Sequence, residues 1–565
     1  MAYFLKKTTL KNRTYLAIYE SFYSHDKKGT AHKTYKSMGS IETLKANGID
    51  DPIALYQKEV DELNKNREAA KARLITDQSP LLYLGFFPLK SIMEKLDIKK
   101  HIDYYKKTTK FEFDLYSLLS SLIYARSIKP CSKLRTFHDV IPCLYENPDY
   151  SYDQLLDGLS FFGDNYAKLI EMFSYQVKTI YGINDETTYF DCTNFYFEID
   201  REDDFRRKGP SKENRKDPII GLGLLLDSHQ IPISMKMFPG NESEKPVLRE
   251  IIKEMKGQNE TQGRTIRVAD KGLNCSENII DAIANGDGYL FSKSVKMLPE
   301  TEIVWVLLEN GWKTTYDEKN KPLYQSKSCI DEFPFTLTDI NGKKKTVMLK
   351  EKRLVTYNPE LAVKQRAEIN KMIDKAERLR LSQAKKSEYG ESAKYLNFES
   401  VDEKGNTTGK KVKVTKNQKA IDKDLALAGY NMLVTSELKM SDRDMYDTYH
   451  NLWMIEESFK IMKSDLDARP VFLQKRSSIE GHFLICYLTV LLERLFQYNV
   501  LHNKYPASVI FRFIKEFRVV KSEYKYINIT AYSPFISELT ELTSLPLMHY
   551  YLSETKIAMI LNHTF

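Results

Sequence analysis

Hydrophobic and polar positions change period several times along this chain, and each change predicts a new kind of element. Residues 1–45 set short apolar runs, Tyr15 to Tyr19 and Lys33 to Met38, between turn-rich polar segments such as HDKKGT, which predicts a small antiparallel sheet. PIALYQKEVDELNKNREAAKARL then reads as a charged connecting helix from about 52 to 75, broken at Asp77 to Pro80. From about 85 to 180 the apolar spacing is helical, in FDLYSLLSSLIYARSI and NYAKLIEMFSYQVKTI, around the turn-forming YENPDYSYD. Helices of this kind either pack or enter a DNA groove.

At 187 the period shifts to strands, with TTYFDCTNFYFEI, IIGLGLLL and IPISMKM predicting a meander. Pro232 removes a ladder donor from the third strand and places it at a sheet edge. A helix from about Glu244 follows, with Ser243 as its N-cap, and then the strand TIRVA. Next comes a helix from about Cys275, with Asn274 and Glu277 as a capping-box-like start, and the strand GYLFSKS. Residues 297–428 interrupt this order with the strand-like EIVWVLL, FTLTDI and KTVMLK and a long basic helix, NPELAVKQRAEINKMIDKAERLRL. The strand YNMLVTS resumes it, before helices at about 441–465 and 477–499.

These shifts divide the chain into a β-rich module (1–50), a helical connector (51–80) and a helical, DNA-binding domain (81–185). A core in two parts (186–296 and 429–500) encloses the insertion (297–428), and a helical tail (501–565) closes the chain. Composition adds little: 565 residues with 42% hydrophobic content suit several folded domains, and 85 basic against 77 acidic residues give a net charge of +8 that hints at a polyanionic partner. The six cysteines form no CxxC pair, which leaves no zinc site and suits thiols in a reducing cytoplasm. No signal peptide and no run of about 18 apolar residues is present, so neither secretion nor a membrane span is expected.

Three carboxylates stand out by position. Asp191 lies within an apolar, aromatic strand, where an ionised group is costly to bury unless a cation or donors meet it. Asp270 ends the strand TIRVA, and strand ends are where α/β folds place their chemistry. Glu456 lies on MYDTYHNLWMIEESFKIMKSDL, read as one helix on which Tyr449, Trp453, Glu456, Lys460 and Lys463 share a face. Glu457 points about 100° away and is the weaker candidate. Taken singly, each carboxylate also fits an ordinary exposed or turn position. Together they sit on the first strand, after the fourth strand and on a helix beyond the fifth, an order suited to holding divalent ions for in-line phosphoryl displacement.

The spacing of Tyr449, Leu452, Glu456 and Lys463 resembles the Y-x2-R-x3-E-x6-K pattern of bacterial insertion-sequence DDE transposases of the insertion sequence four superfamily, with Leu452 at the family's Arg. NLWMIEESFKIMKS resembles the LWxIExxF branch, and RRKGPSKENRKDP, FPGNESE, VADKGLNCSENI and SSIEGHFLICYL resemble further segments of it. The resemblance spans roughly 187–500. It implies a multidomain α/β protein with an RNase H-like core, a mixed five-stranded sheet with helices, interrupted by a β-rich insertion that holds DNA. It also implies Asp191, Asp270 and Glu456 as catalytic ligands of two Mg²⁺ or Mn²⁺ ions, and Lys463, Lys460, Tyr449, Lys212 and Arg215 as DNA contacts. The partners implied are double-stranded DNA, as terminal inverted repeats and target, and a second copy of the chain in a DNA-bound homodimer. His482 resembles a family position and receives no role. Two other readings remain: an RNase H-fold nuclease that cuts without rejoining, and a domesticated DNA-binding protein that no longer transposes.

Overall fold

A computed structural model describes residues 2–10, 12–24, 29–71, 79–213, 216–257, 263–316, 319–338, 343–381, 388–401, 411–522 and 525–565. Its contacts separate into two units, Met1–Ser79 and Pro80–Phe565.

In the first unit β1 (Tyr3–Leu10), β2 (Arg13–Ser24) and β3 (Gly29–Ser40) form the expected antiparallel sheet, followed by α1 (Ile41–Ala46) and α2 (Pro52–Lys71). Alternation turns Leu16 and Ile18 inward, where they are buried along with Leu44 and Val60. The Asn64 side chain accepts from the Tyr3 N–H at 2.8 Å and donates to its carbonyl at 2.9 Å, pinning α2 to the sheet.

The second unit opens with β4 (Leu81–Tyr83), α3 (Phe87–Lys95), α4 (Ile98–Lys106), α5 (Leu115–Ile128), α6 (Lys133–Arg135), α7 (Tyr152–Asp164) and α8 (Tyr166–Tyr181). Asp114 caps α5 by accepting from the Tyr116 and Ser117 N–H groups, and Ser151 with Gln154 forms a capping box on α7. Nearly every residue of α5 is buried, so this helix is core and presents no face to a DNA groove.

The meander follows as β5 (Thr187–Tyr196), β6 (Ile219–Leu226) and β7 (Pro232–Pro239). After it come α9 (Glu244–Gly257), β8 (Ile266–Ala269), α10 (Ser276–Ala284), β9 (Gly288–Lys293) and α11 (Glu300–Leu307). β5 pairs antiparallel with β6 and parallel with β8, β8 pairs parallel with β9, and β7 is an edge strand, as Pro232 requires. This mixed sheet, with its many helices, is consistent with an RNase H-like transposase domain.

The sheet is larger than the five strands expected. β10 (Lys313–Tyr316), β11 (Pro322–Thr338), β12 (Lys344–Tyr357) and, after α12 (Pro359–Leu381), β13 (Leu396–Val401), β14 (Lys411–Lys416) and α13 (Gln418–Ala426), β15 (Tyr430–Thr435) complete the strands of this region. The nine-stranded order is β10-β11-β12-β15-β9-β8-β5-β6-β7, while β13 and β14 form a separate hairpin. Strands from 297–428 therefore hydrogen-bond into the central sheet through β15. EIVWVLL, expected as a strand, is the helix α11, because Pro299 precedes it and Glu300 and Glu302 occupy its first turn, where acids favour a helix start.

α14 (Asp442–His450), α15 (Trp453–Lys460), α16 (Arg476–Leu495) and α17 (Ala507–Glu516) lead into a tail that is not all helical. It contains β16 (Arg518–Ser522), β17 (Lys525–Asn528), α18 (Pro534–Thr543), β18 (Tyr551–Leu552) and α19 (Glu554–Leu561). Its strands join β4 in the order β18-β17-β16-β4, and the Phe565 N–H donates to Ser91 Oγ at 3.0 Å. Helices, central sheet and tail share one apolar core centred on α16, which is buried along almost its whole length.

Where α7 crosses α16 the backbones touch: a Cβ on Gly481 would lie 2.1 Å from the Leu159 carbonyl oxygen. Gly481→Ala should therefore destabilise the protein by about 1–3 kcal/mol, as overpacking does. Gly257→Ala, with nothing within 4 Å of the new Cβ, should leave the midpoint of urea unfolding near wild type. Equal midpoints for the two variants would refute this crossing.

Candidate active site

The parallel pairing of β5 with β8 sets Phe190 opposite Ala269, so the next residues, Asp191 and Asp270, are neighbours across the two strands. Asp191 is half-buried and accepts from the Cys192 N–H at 2.7 Å. The Lys212 ammonium lies 3.7 Å from Asp191 Oδ1 and 3.7 Å from Glu244 Oε1, and it donates to the Cys192 carbonyl. Burial pushes the Asp191 carboxyl up to about 6; Lys212 opposes this, while Glu244 and Asp270 add repulsion. Asp270 accepts from Ser292 Oγ at 2.9 Å and from the Tyr449 hydroxyl at 3.0 Å. Burial, followed by the charge of Asp270, raises the Tyr449 phenol, which keeps it a donor.

Two local expectations are corrected. Asn274 does not cap α10; Cys275 holds the N-cap without a side-chain bond, and Asn274 Nδ2 donates instead to the Ser292 carbonyl at 2.8 Å. The helix carrying Tyr449 and Glu456 is interrupted at Asn451 and Leu452. There Leu452, Met454 and Ile455 donate to Tyr449, Asn451 and Leu452, three residues back, so the turn is tightened. Leu452 packs into the core.

α15 lies against β5, the strand of Asp191. Glu456 is exposed and has no hydrogen-bond or ion-pair partner among the described residues. Glu457, by contrast, accepts from Arg494 Nη2 at 3.0 Å, so the two acids differ in freedom as the helical phase required. Among the described residues no group of three or more His, Cys, Asp or Glu side chains stands close enough to hold a metal ion. The fold thus brings Asp191 and Asp270 together, and among the described residues Glu456 does not complete a group of three with them.

The pair itself suits a divalent cation. Its donors are hard carboxylate oxygens, burial hinders ionisation of Asp191 with Glu244 and Asp270 adding repulsion, and a cation, the ammonium of Lys212, lies 3.7 Å from Asp191 Oδ1.

Of the other predicted residues, Tyr449 and Lys212 contact the pair directly. Lys463 contacts Glu213 Oε1 at 3.4 Å and lies 5.5 Å from the centre of the Phe195 ring; burial lowers its pKa against the pull of Glu213. Glu213 is also bound by Arg469. Lys460 is exposed, and Arg215 lies outside the described residues. A cleft of about 560 Å³ opens beside Asp270, with Lys293, Lys296, Tyr446, Tyr449 and His450 among its walls. Sequence reasoning missed Glu244, Ser292, Glu213 and Arg469; of these, Glu244 lay within the FPGNESE segment and Ser292 at the end of GYLFSKS.

Residues 197–492 match the transposase DDE domain, a little over half of the chain. The chain belongs to this family. The match includes Asp270 and Glu456 and begins after Asp191. No curated protein matches the chain. As a DDE transposase it falls among enzymes that cut and transfer DNA, and such domains generally use divalent metal ions. No helix among its described residues is long and apolar enough to cross a membrane.

Asp191 also gives a pH test. Its folded-state pKa lies above the ordinary 3.8, so the associated stability is present below pH 3.8 and is lost as pH rises through about 6. In chelator, Asp191→Asn should raise the thermal midpoint above that of wild type at pH 8, and the gap should close towards pH 4. A gap independent of pH would rule out this environment for Asp191.

Proposed function

We propose that this DDE transposase serves a bacterial insertion sequence of the insertion sequence four superfamily, cutting and rejoining DNA at terminal inverted repeats. The observation that carries this reading is the pair Asp191 and Asp270, set side by side at the end of parallel strands with more carboxylate than local cation. In this reading Asp191, Asp270 and Glu456 hold two Mg²⁺ or Mn²⁺ ions. When bound, the ions would activate a water or a 3′-hydroxyl and stabilise the leaving oxygen of an in-line displacement.

The chain's own groups do the rest. Tyr449 and Ser292 both donate to Oδ1 of Asp270, which fixes that carboxylate and leaves Oδ2 free of them. Lys212 balances Asp191 in the absence of DNA and, in this reading, turns to a backbone phosphate together with Lys460, Lys463 and Arg215. Tyr449, lining the cleft beside Asp270, also meets the DNA there, where cationic and aromatic side chains suit phosphates and bases. Two element ends require two active sites, so the working form would be a homodimer on DNA, acting in the bacterial cytoplasm at the nucleoid.

The decisive experiment combines the protein with a cleaved inverted-repeat end, target duplex and Mg²⁺, and looks for joined product. Asp191→Ala, Asp270→Ala and Glu456→Ala should each lower cleavage and joining about a thousandfold, about 4 kcal/mol of transition-state stabilisation, while DNA binding persists. Glu457→Gln should react near the wild-type rate. Hydrolysis without joining would leave a nuclease, and full activity of Glu456→Ala would remove that residue from the site.

A further inference from the structure

A second concentration of positive charge lies outside the residues around Asp191 and Asp270. A cavity of about 420 Å³ is bounded by the segment at Cys131–Leu134 and by Pro470–Leu473, with Arg126 from α5, Lys133 from α6 and His482 from α16 in its lining. All three are buried, at 6%, 6% and 4% exposure, whereas Leu134 and Phe472 in the same lining are exposed, so the cavity communicates with solvent.

The partners of these three groups are all neutral. Arg126 donates to the Leu466 carbonyl at 3.3 Å and to the Cys131 carbonyl at 3.1 Å. Lys133 Nζ lies 3.2 Å from His482 Nδ1, and His482 Nε2 lies 3.0 Å from the Ala468 carbonyl. A carbonyl only accepts, so Nε2 carries the ring proton and Nδ1 accepts from Lys133. That single contact uses one of the three donors of the ammonium.

While buried Lys327 meets two carbonyls and two tryptophan rings, three buried arginines meet carboxylates, Arg267 with Asp281 and Asp287, Arg353 with Glu302 and Glu351, and Arg494 with Glu457. Arg126 and Lys133 have no such partner among the described residues, and the charged or titratable neighbours acting on Lys133 and His482 are each other, Arg126, Cys131 and Cys486. Two buried cations without a counter-ion are costly, and an anion entering from solvent would offset that cost.

We propose that this cavity is an oxyanion site that binds a phosphate group, with Arg126 and Lys133 as its charged donors and His482 as the residue that positions Lys133. Two multi-donor cations lining one cavity suit a tetrahedral, multiply charged anion better than a halide. Burial, with Arg126 adding repulsion, pushes Lys133 down to about 7, so an arriving anion also restores its full charge. The phosphate comes either from a DNA backbone or from a free phosphate; the site stands apart from the proposed transposition chemistry, and only the DNA source rests on it.

The test is calorimetric titration of the full chain with inorganic phosphate at constant ionic strength, without DNA. Wild type should show saturable binding, weakened roughly tenfold or more in Lys133→Met and Arg126→Met, the cost of losing a charged hydrogen bond, and retained in Lys133→Arg. Circular dichroism checks folding; in phosphate-free buffer Lys133→Met should melt at or above the wild-type temperature, because an unpaired buried charge is gone. Should that variant fail to fold, His482→Leu, which removes the acceptor of Lys133 and the bond to the Ala468 carbonyl but leaves both cations, should still weaken phosphate binding.

Duplex DNA then separates the sources. If DNA competes with phosphate, and Lys133→Met lowers the salt dependence of DNA binding by about one phosphate contact, a backbone phosphate fills the site. If phosphate binds equally well with DNA present, the ligand is free phosphate. Phosphate binding that is absent from wild type, or equal in wild type and the Met variants, overturns the proposal.

Discussion

The register between β5 and β8 is the constraint on which the rest of this molecule depends. A slip of one residue would turn Asp191 to the opposite face and bring Phe190 or Cys192, both buried, to where the carboxylate stands. Several contacts oppose such a slip. Phe190 packs over Gly223 of β6, where a Cβ would lie 2.9 Å from the ring, and Phe238 covers Gly221 in the same way at 2.1 Å. Thr265 and Thr188 hydroxyls meet at 3.2 Å across β8 and β5. Arg267 is anchored to Asp287, just before β9, through two donors at 3.0 and 2.7 Å. Apolar fit on one face and a buried ion pair beside it thus fix the place of two carboxylates that repel one another.

One loop divides the charge around this pair. Lys212 and Glu213 are consecutive, yet they bind in opposite directions: Lys212 to Asp191 and Glu244, Glu213 to Lys463 and Arg469. The loop before β6 therefore ties the aspartate strand to the segment that follows α15. A cation placed at Asp191 would compete directly with the Lys212 ammonium, so the charge state of the pair and the position of this loop are linked. Glu213 in turn is held ionised against its burial by Arg469 and Lys463, which keeps both cations beside the site in the absence of DNA.

What the sequence made legible was largely local. The three-stranded module, the meander, the edge position of Pro232 and the strands carrying Asp191 and Asp270 follow from side-chain period and from the missing N–H of proline, both properties of a few adjacent residues. Pairings between distant segments were not legible. β4 joins β16 across more than four hundred residues, and neither short strand has enough alternation to announce a partner. Residues 297–428 read as an insertion because strand-like pieces and a long basic helix interrupt the core order, and nothing in that pattern announced that β12 pairs with β15 in the central sheet. Glu244, Ser292 and Glu213 went unassigned for a similar reason: each reaches the aspartates or their neighbours through a fold contact, while its own sequence surroundings look like an ordinary loop, helix start or strand end.

The helix of Glu456 shows how a period read from sequence can pass over a break. Steps of three and four residues place Tyr449 and Glu456 on one face only if every residue advances about 100°. At Asn451 and Leu452 the turn tightens to bonds three residues apart, and a tightened turn advances about 120° per residue, so the face shifts between the two side chains. Tyr449 stays before the break, hydrogen-bonded to Asp270, while Glu456 lies after it, exposed and unpartnered. Ile455 and Phe459, both buried, fix α15 in that phase. Leu452, buried at that turn, together with Ile455 and Phe459 seats α15 against β5, the strand of Asp191.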